Sequence, residues 1–265
     1  MNGELIHSIE QLISRIRAES SSWPVDHPRW FRGEPNVPTR LVPKLYRRPP
    51  YPNENQLLQN FRAMAPSLAV NTPVREATDQ WLCLAQHVGV PTRLLDWTES
   101  ALFAVHFALR EPEPVVWMLN PIELNVLSVD EPAAAGMAAE LPLPWHHSLS
   151  PNVVNIGSIN IRGAWQQDQV GVPFPVAFVP THVHPRMAAQ RSRFTVWGIL
   201  KESLQDMVEP TILRRFVLDP AQRGSFRADL RMLGVQEASV FPDLDGLARE
   251  LEQLYAFPSA IPPAV

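Results

Sequence analysis

The run Ala101-Leu102-Phe103-Ala104-Val105-His106-Phe107-Ala108-Leu109 is apolar on nearly every side. After Arg110–Pro114 it gives way to Val115-Val116-Trp117-Met118-Leu119, a short β-branched and aromatic stretch. The first pattern reads as a buried helix and the second as a strand. This change of period divides the chain. Upstream, helical spacing dominates: Ser8 and Gln11 form a capping-box pair that opens a helix over 8–19. Leu57, Leu58, Phe61 and Met64 predict a second helix, and Trp81, Leu84, Ala85 and Val88 a third. Gly89 ends that third helix as a C′ residue, with Pro91 just beyond. Trp30-Phe31-Arg32-Gly33-Glu34 is a strand that stops at glycine. Pro35–Pro52 is too rich in proline for regular structure and predicts an ordered wrapping loop.

Downstream, Val176–Val179, Phe194–Trp197 and Arg214–Leu218 predict further strands. Asp219-Pro220 resembles an N-cap and N1 pair. Ser225 is placed to cap a helix burying Phe226, Leu230 and Leu233, ended by Gly234. A last helix after Pro242-Asp243 is expected to bury Leu244, Leu247, Leu251 and Leu254. The stretch from Pro132 to Gly171 has no assignable period. Helices, then strands, then helices predict an α+β fold, with a split, mostly antiparallel sheet and helices packed on it. No repeat or linker divides the chain, so residues 1–265 are expected to form one domain with a core over about 25–255.

Composition excludes several function classes. The 265 residues are 45% apolar and 19% charged, which rules out wholesale disorder. A net charge of −4 argues against non-specific nucleic-acid binding, an argument that a local basic patch survives. One cysteine, Cys83, excludes a disulfide framework and lies on the inward stripe beside Leu84, so it reads as a buried thiol. His182-x-His184 and His146-His147 lack a third ligand at metal-motif spacing, and no metal is expected. The first residues lack the pattern of a secretory signal and no apolar run could cross a membrane, so a cytoplasmic location without membrane partners is expected. There is no G-x-S-x-G, P-loop or G-x-G-x-x-G.

Three stretches concentrate polar groups. Arg32, at a strand end, could clamp a phosphate or carboxylate with its planar fork, with Gly33 leaving room for close approach. Its structural alternative is a pair with Glu34 or Asp96. The second stretch carries Gln86, His87, Thr92, Arg93, Asp96 and Thr98 within thirteen residues of an expected helix–loop–helix junction. Such groups must satisfy one another or meet a ligand. The bland alternatives are Asp96 or Thr98 capping the following helix and Arg93 pairing with Asp96. In the third, Arg186 and Gln190 precede a strand and could face a cleft, whereas Arg191 and Arg193 read as a solvated face.

At these residues the chain resembles the FRG domain family. The resemblance runs from Trp30 nearly to Leu251. It includes Phe31-Arg32-Gly33, Ala85-Gln86-His87 through Asp96-Trp97-Thr98, Ala104-x-x-Phe107-Ala108 and Arg186-Met187-Ala188-Ala189-Gln190 through Phe194-Thr195, ending in Phe241-Pro242-Asp243-Leu244-Asp245-Gly246-Leu247. The order of these landmarks is also similar to that of NAD-dependent ADP-ribosyltransferases of the arginine–serine–glutamate type. That likeness implies an ADP-ribosyltransferase-like fold, with NAD as substrate and a macromolecular acceptor, as in a toxin or phage-defence effector. It places Arg32 and Gly33, with His87, Arg93 and Arg186, on the nucleotide, and Asp96, Thr98 and Gln190 at the reacting centre. The glutamate landmark is missing: its place falls near His184–Arg186, and Gln190 is the nearest polar substitute. Asp96 or Glu237 could supply a carboxylate from elsewhere. The rival expectations are a non-catalytic nucleotide- or protein-binding module and an NAD glycohydrolase.

Overall fold

A computed structural model describes residues 4–35, 40–69, 71–110, 112–130, 174–198 and 200–255. The uninterpreted stretch from Pro132 to Gly171, with His146-His147, lies outside the described residues.

Six strands form one open sheet: β1 (Trp30–Pro35), β2 (Leu94–Thr98), β3 (Pro114–Leu119), β4 (Val176–Phe178), β5 (Ser192–Val196) and β6 (Leu213–Val217), in the order β4-β5-β2-β1-β3-β6. Every neighbouring pair is antiparallel. The α+β expectation and the antiparallel pairing therefore hold. One strand was missed: Leu94–Thr98 was expected to be a loop between helices, and it is the third strand in the sheet order. Leu94, Leu95 and Trp97 are buried on its two faces, which removes the clean alternation that marks a half-exposed strand.

The sheet parts between β1 and β2. β1 is in register with β3 from Trp30↔Leu119 to Pro35↔Pro114, and β2 with β5 from Leu94↔Val196 to Thr98↔Ser192. The two halves meet at the single register pair Phe31↔Thr98. The next rung would set Gly33 against Asp96. There Arg32 Nη1 donates instead to the Asp96 carbonyl at 2.7 Å, a side chain taking the acceptor that a ladder amide would use.

The helices of the upstream part are α1 (Ile9–Glu19), α2 (Glu54–Met64), α3 (Thr78–His87), α4 (Ala101–Ala108) and α5 (Pro121–Asp130). Downstream come α6 (Pro185–Ala189), α7 (Leu204–Met207), α8 (Arg223–Met232), α9 (Glu237–Val240) and α10 (Leu244–Tyr255). Ser8 caps α1 by accepting the Gln11 amide, as its spacing predicts. Gly89 and Gly234 take positive φ just past α3 and α8, where the chain must turn left-handed. α3 packs Trp81, Leu82 and Cys83 against Leu94, Val176 and Phe194, and burial pushes the Cys83 thiol pKa up. α4 packs with Phe31, Val116 and Met118. It comes so close to β1 that a Cβ on Gly33 would lie 2.0 Å from the Ala104 carbonyl oxygen. The glycine therefore admits a helix backbone. Trp30, Leu95, Trp97 and Trp197 build the core on the opposite face.

Three local expectations are corrected. Ser100, rather than Asp96 or Thr98, caps α4 by accepting the Phe103 amide. α8 begins at Arg223 rather than after Ser225, and Leu233 is exposed. α10 turns its leucines outward: Leu244, Leu247, Leu251 and Leu254 are all exposed. The cause is Gly246, which lies against Phe241, where a Cβ would meet the carbonyl oxygen at 1.9 Å. Arg249 and Glu250 flank that contact face and bond to Glu237 and the Ala238 amide. Glycine and two charged residues thus fix which side of the helix meets the body, and the leucines follow around the other side.

Candidate functional site

The parting of β1 and β2 opens a cavity of about 510 Å³, within the usual range for a small-molecule site. Arg32, Gly33 and Glu34 come from β1, and Asp96 and Thr98 from β2. Gln86 and His87 end α3, Arg110 follows α4, Arg186 lies in the first turn of α6 and Gln190 caps its end. Phe107 and Phe241 supply aromatic walls. Arg32, His87, Asp96 and Gln190, which span about 160 positions of sequence, thus converge on one cleft. Arg93 does not join them. Both it and Glu54 are buried, its Nε donates to Glu54 Oε2 at 2.5 Å, and its own amide donates to Glu54 Oε1 at 2.7 Å. It is absent from the cavity lining, and the alternative pairing of Arg93 with Asp96 is also not formed.

A chain of hydrogen bonds crosses the split. Thr92 Oγ1 donates to Gln86 Oε1 at 2.5 Å, and Gln86 Nε2 donates to Asp96 Oδ2 at 2.9 Å. Arg32 Nη1 lies 3.6 Å from the same carboxylate oxygen, while its Nε donates to Glu34 Oε1 at 2.5 Å. Arg32 Nη2 also contacts Glu34. The fork expected to clamp a phosphate is thus engaged within the protein. Desolvation works against the Arg32 charge, but Glu34 and Asp96 outweigh it and its pKa rises. Crowding by protein pushes the Asp96 carboxyl up, opposed by Arg32 and by the Gln86 hydrogen bond. Half of the Asp96 side chain still faces the cavity, and water there limits the rise.

Thr98 is buried: its hydroxyl donates to the Gln190 carbonyl at 2.7 Å and accepts the Ser100 amide. It ties β2 to the turn before β5 and leaves no hydroxyl hydrogen for a ligand. The Gln190 amide donates to Val240 O at 3.0 Å, linking that turn to α9. His87 stacks on His184 with ring centroids 4.3 Å apart. Desolvation, with His184 and Arg186 nearby, lowers the His87 pKa to about 4, so the ring is neutral at pH 7. Arg193 is not a solvated residue, because it pairs with Glu99 at 2.7 Å.

The wall built by α6 and α9 was only partly foreseen. Arg186 lies 4.2 Å and Arg110 4.6 Å from the Phe241 ring centre. Arg110 is neutralised by Glu237, whose pKa falls because the bonds from Arg110 and Arg249 outweigh desolvation. That carboxylate, considered above for the reacting centre, is therefore bound up by two arginines. Among the described residues Arg186 has no ion pair and its buried Nε no hydrogen-bond partner, and desolvation lowers its pKa against the opposing charge of Asp243. Arg47 also lines the cavity and makes no ion pair among the described residues. Arg47, Arg110, Phe107 and Phe241 were not expected as cavity residues. Among the described residues no group of three His, Cys, Asp or Glu side chains could hold a metal ion.

Residues 27–115 match the family model of the FRG domain. The match supports the FRG family. It covers β1, α3, β2 and α4, hence the Arg32, Gln86, His87 and Asp96 side of the cavity. The side carrying Arg186, Gln190 and Phe241 lies beyond the matched residues. No curated protein and no solved structure matches the chain. No helix among the described residues is long and apolar enough to cross a membrane.

Proposed function

We propose that the split-sheet cavity binds an NAD-type nucleotide and that the protein transfers ADP-ribose from it to a macromolecule. One observation carries this reading. Two guanidinium groups with no ion pair among the described residues, Arg186 and Arg47, share a cavity with the rings of Phe107 and Phe241 and with the half-exposed Asp96 carboxylate. Unpaired arginines suit phosphate oxygens, and aromatic faces suit a base. The phosphate role expected of Arg32 passes to Arg186 and Arg47, since the Arg32 fork is engaged. Arg32 then acts with Gln86 to hold Asp96 in place.

In the transfer, the bond from ribose C1′ to the nicotinamide nitrogen breaks and its electron pair leaves with nicotinamide. The cation developing at C1′ is stabilised by a nearby carboxylate, for which Asp96 is the candidate. An acceptor oxygen or nitrogen then bonds to C1′, and its proton passes to Asp96, whose raised pKa suits that task. Modification of a macromolecule in this way suits a toxin or a phage-defence effector.

One observation favours a second reading, a nucleotide-binding module without turnover. No carboxylate occupies the Gln190 position, and its amide is tethered to Val240. Incubating the purified protein with labelled NAD and cell extract separates the readings. Transfer predicts label on a macromolecule that is lost in Asp96→Asn while binding persists. Release of free ADP-ribose alone assigns water as acceptor, and binding without turnover assigns the module. Failure to bind nucleotide would overturn both.

A further inference from the structure

The stretch 35–53 holds Arg40, Lys44, Arg47 and Arg48 and no acidic residue, in a chain whose net charge is −4. Lys44–Tyr46 forms a 3₁₀ turn, in which residues three apart eclipse, so Lys44 and Arg47 rise from one side. Lys44, Arg47, Arg48 and Tyr51 are exposed. Lys201, from the segment after β5, brings its Nζ 5.1 Å from the Tyr51 ring centre and 5.5 Å from that of Tyr46. The two tyrosines meet edge to face at 5.4 Å. None of Lys44, Arg47, Arg48 and Lys201 has an ion pair among the described residues. Glu54, next in sequence, is ion-paired with Arg93, and Glu202 accepts the Lys201 backbone amide. Arg47 belongs both to this surface and to the cavity wall.

We infer that this rim is the docking surface for a single-stranded nucleic acid. Four cations without ion pairs among the described residues, on a surface that also carries the exposed Tyr51, provide the two elements a single strand needs, a charged track for phosphates and a ring on which a base can stack. A local cationic surface on a chain of net charge −4 is compatible with polyanion binding at that surface alone. An acidic peptide would use the cations and leave the ring idle. Through Arg47 the strand would run to the mouth of the cavity, which makes it a candidate acceptor. The inference does not depend on NAD, because docking is measured without it.

The test is fluorescence anisotropy of a labelled twelve-nucleotide single strand, as DNA and as RNA, titrated with the full chain across a salt series. Four phosphate contacts predict a slope of about −3 in log K against log salt, from about −0.7 per contact. Lys44→Gln with Arg48→Gln removes two contacts and should bring the slope to about −1.4. Lys44→Glu with Arg48→Glu should cost at least about tenfold in affinity. Tyr51→Ala should cost about fivefold or more for the single strand and little for a duplex of the same sequence. Nucleotide binding in the cavity should be unchanged in the Lys44 and Arg48 variants, so the two proposals fail separately. The inference is overturned if these variants bind the strand as the wild type does. It is equally overturned if polyglutamate or phosphatidylserine vesicles bind as tightly as the oligonucleotide.

Discussion

Replacing Gly33 with alanine adds one methyl group at the point where β1 meets α4. That Cβ would lie 2.0 Å from the Ala104 carbonyl oxygen and 2.5 Å from the Ala108 amide nitrogen. Ordinary contact begins near 3.4 Å, so α4 must withdraw from the sheet by about 1.4 Å. Both obstructing atoms are backbone, so no rotamer change relieves them. A gap of about 0.5–1 Å already forfeits a quarter to a half of the dispersion energy, so this larger one costs more than that along the contact, which includes Phe31, Ala104 and Ala108. Overpacking ordinarily costs about 1–3 kcal/mol, and a backbone clash belongs at the top of that range. A loss of about 3 kcal/mol lowers Tm by about 6–12 °C for a chain of this size. Tryptophan-monitored urea unfolding, with a parallel thermal melt, measures it. Gly224→Ala is the internal control: nothing lies within 4 Å of its added Cβ, and in α8 it should stabilise by about 0.5–1 kcal/mol. Gly33→Ala with a Tm within about 2 °C of wild type would refute the packing argument.

Glu54→Gln breaks a buried ion pair, a change that ordinarily costs about 3–5 kcal/mol, and should lower stability with nucleotide affinity of the folded protein unchanged. Denaturation and binding isotherms of one variant decide both parts. Arg32→Lys should lower Tm, because an ammonium cannot reach Glu34 and the Asp96 carbonyl together. An unchanged Tm with lost nucleotide affinity would return the phosphate clamp to Arg32. The depressed pKa values of His87 and His106, each about 4, make stability fall on acidification. From about pH 6.5 down to 4 the unfolded chain takes up protons that the folded one refuses, so the contribution is complete above pH 6.5 and lost toward pH 4. After screening, each ring accounts for no more than about 2 kcal/mol. Chemical denaturation between pH 7.5 and 4.5 checks the sign, and His87→Asn should flatten the curve.

The fold was legible where one period held without competition. α3 and α4 followed from their apolar spacing, and Gly89 marked the first end correctly because only a left-handed residue fits there. β2 was hidden. Its neighbours are helices, and Leu94-Leu95-Asp96-Trp97-Thr98 buries four of five side chains, so it carries no two-residue alternation. Polar residues at both ends then resembled a junction. α10 misled for the opposite reason. Its leucine spacing is regular, but the choice of buried face was made by Gly246, whose missing side chain admits Phe241 more closely than any leucine could. Apolar periodicity locates a helix; close backbone contact can decide which way it turns.

The site was legible as a set of polar residues and illegible as a circuit. Arg32, His87, Asp96 and Gln190 stand in separate segments, and their convergence depends on the sheet parting after Phe31↔Thr98. Nothing in local sequence states that parting, because it follows from strand pairings made on both outer sides, β1 with β3 and β2 with β5. The Glu34 pairing, named from sequence as the alternative to a phosphate clamp, is the one that forms, since residues two apart on a strand share a face and Arg32-Gly33-Glu34 sets opposite charges at that spacing. Once that pair is recognised, the cationic roles reorder themselves. Arg32 and Arg110 are compensated, by Glu34 and Glu237, and help fix the cavity's shape. Arg186 and Arg47 make no ion pair among the described residues, Arg186 only sensing Asp243 and Asp245 at longer range, and they define where an anion gains most. It follows that Arg186→Gln should weaken nucleotide binding with little change in Tm, whereas Arg32→Lys should do the reverse. Measuring affinity and Tm for both variants tests the assignment directly, and parallel behaviour of the two would dissolve the distinction between ligand-facing and structural arginines.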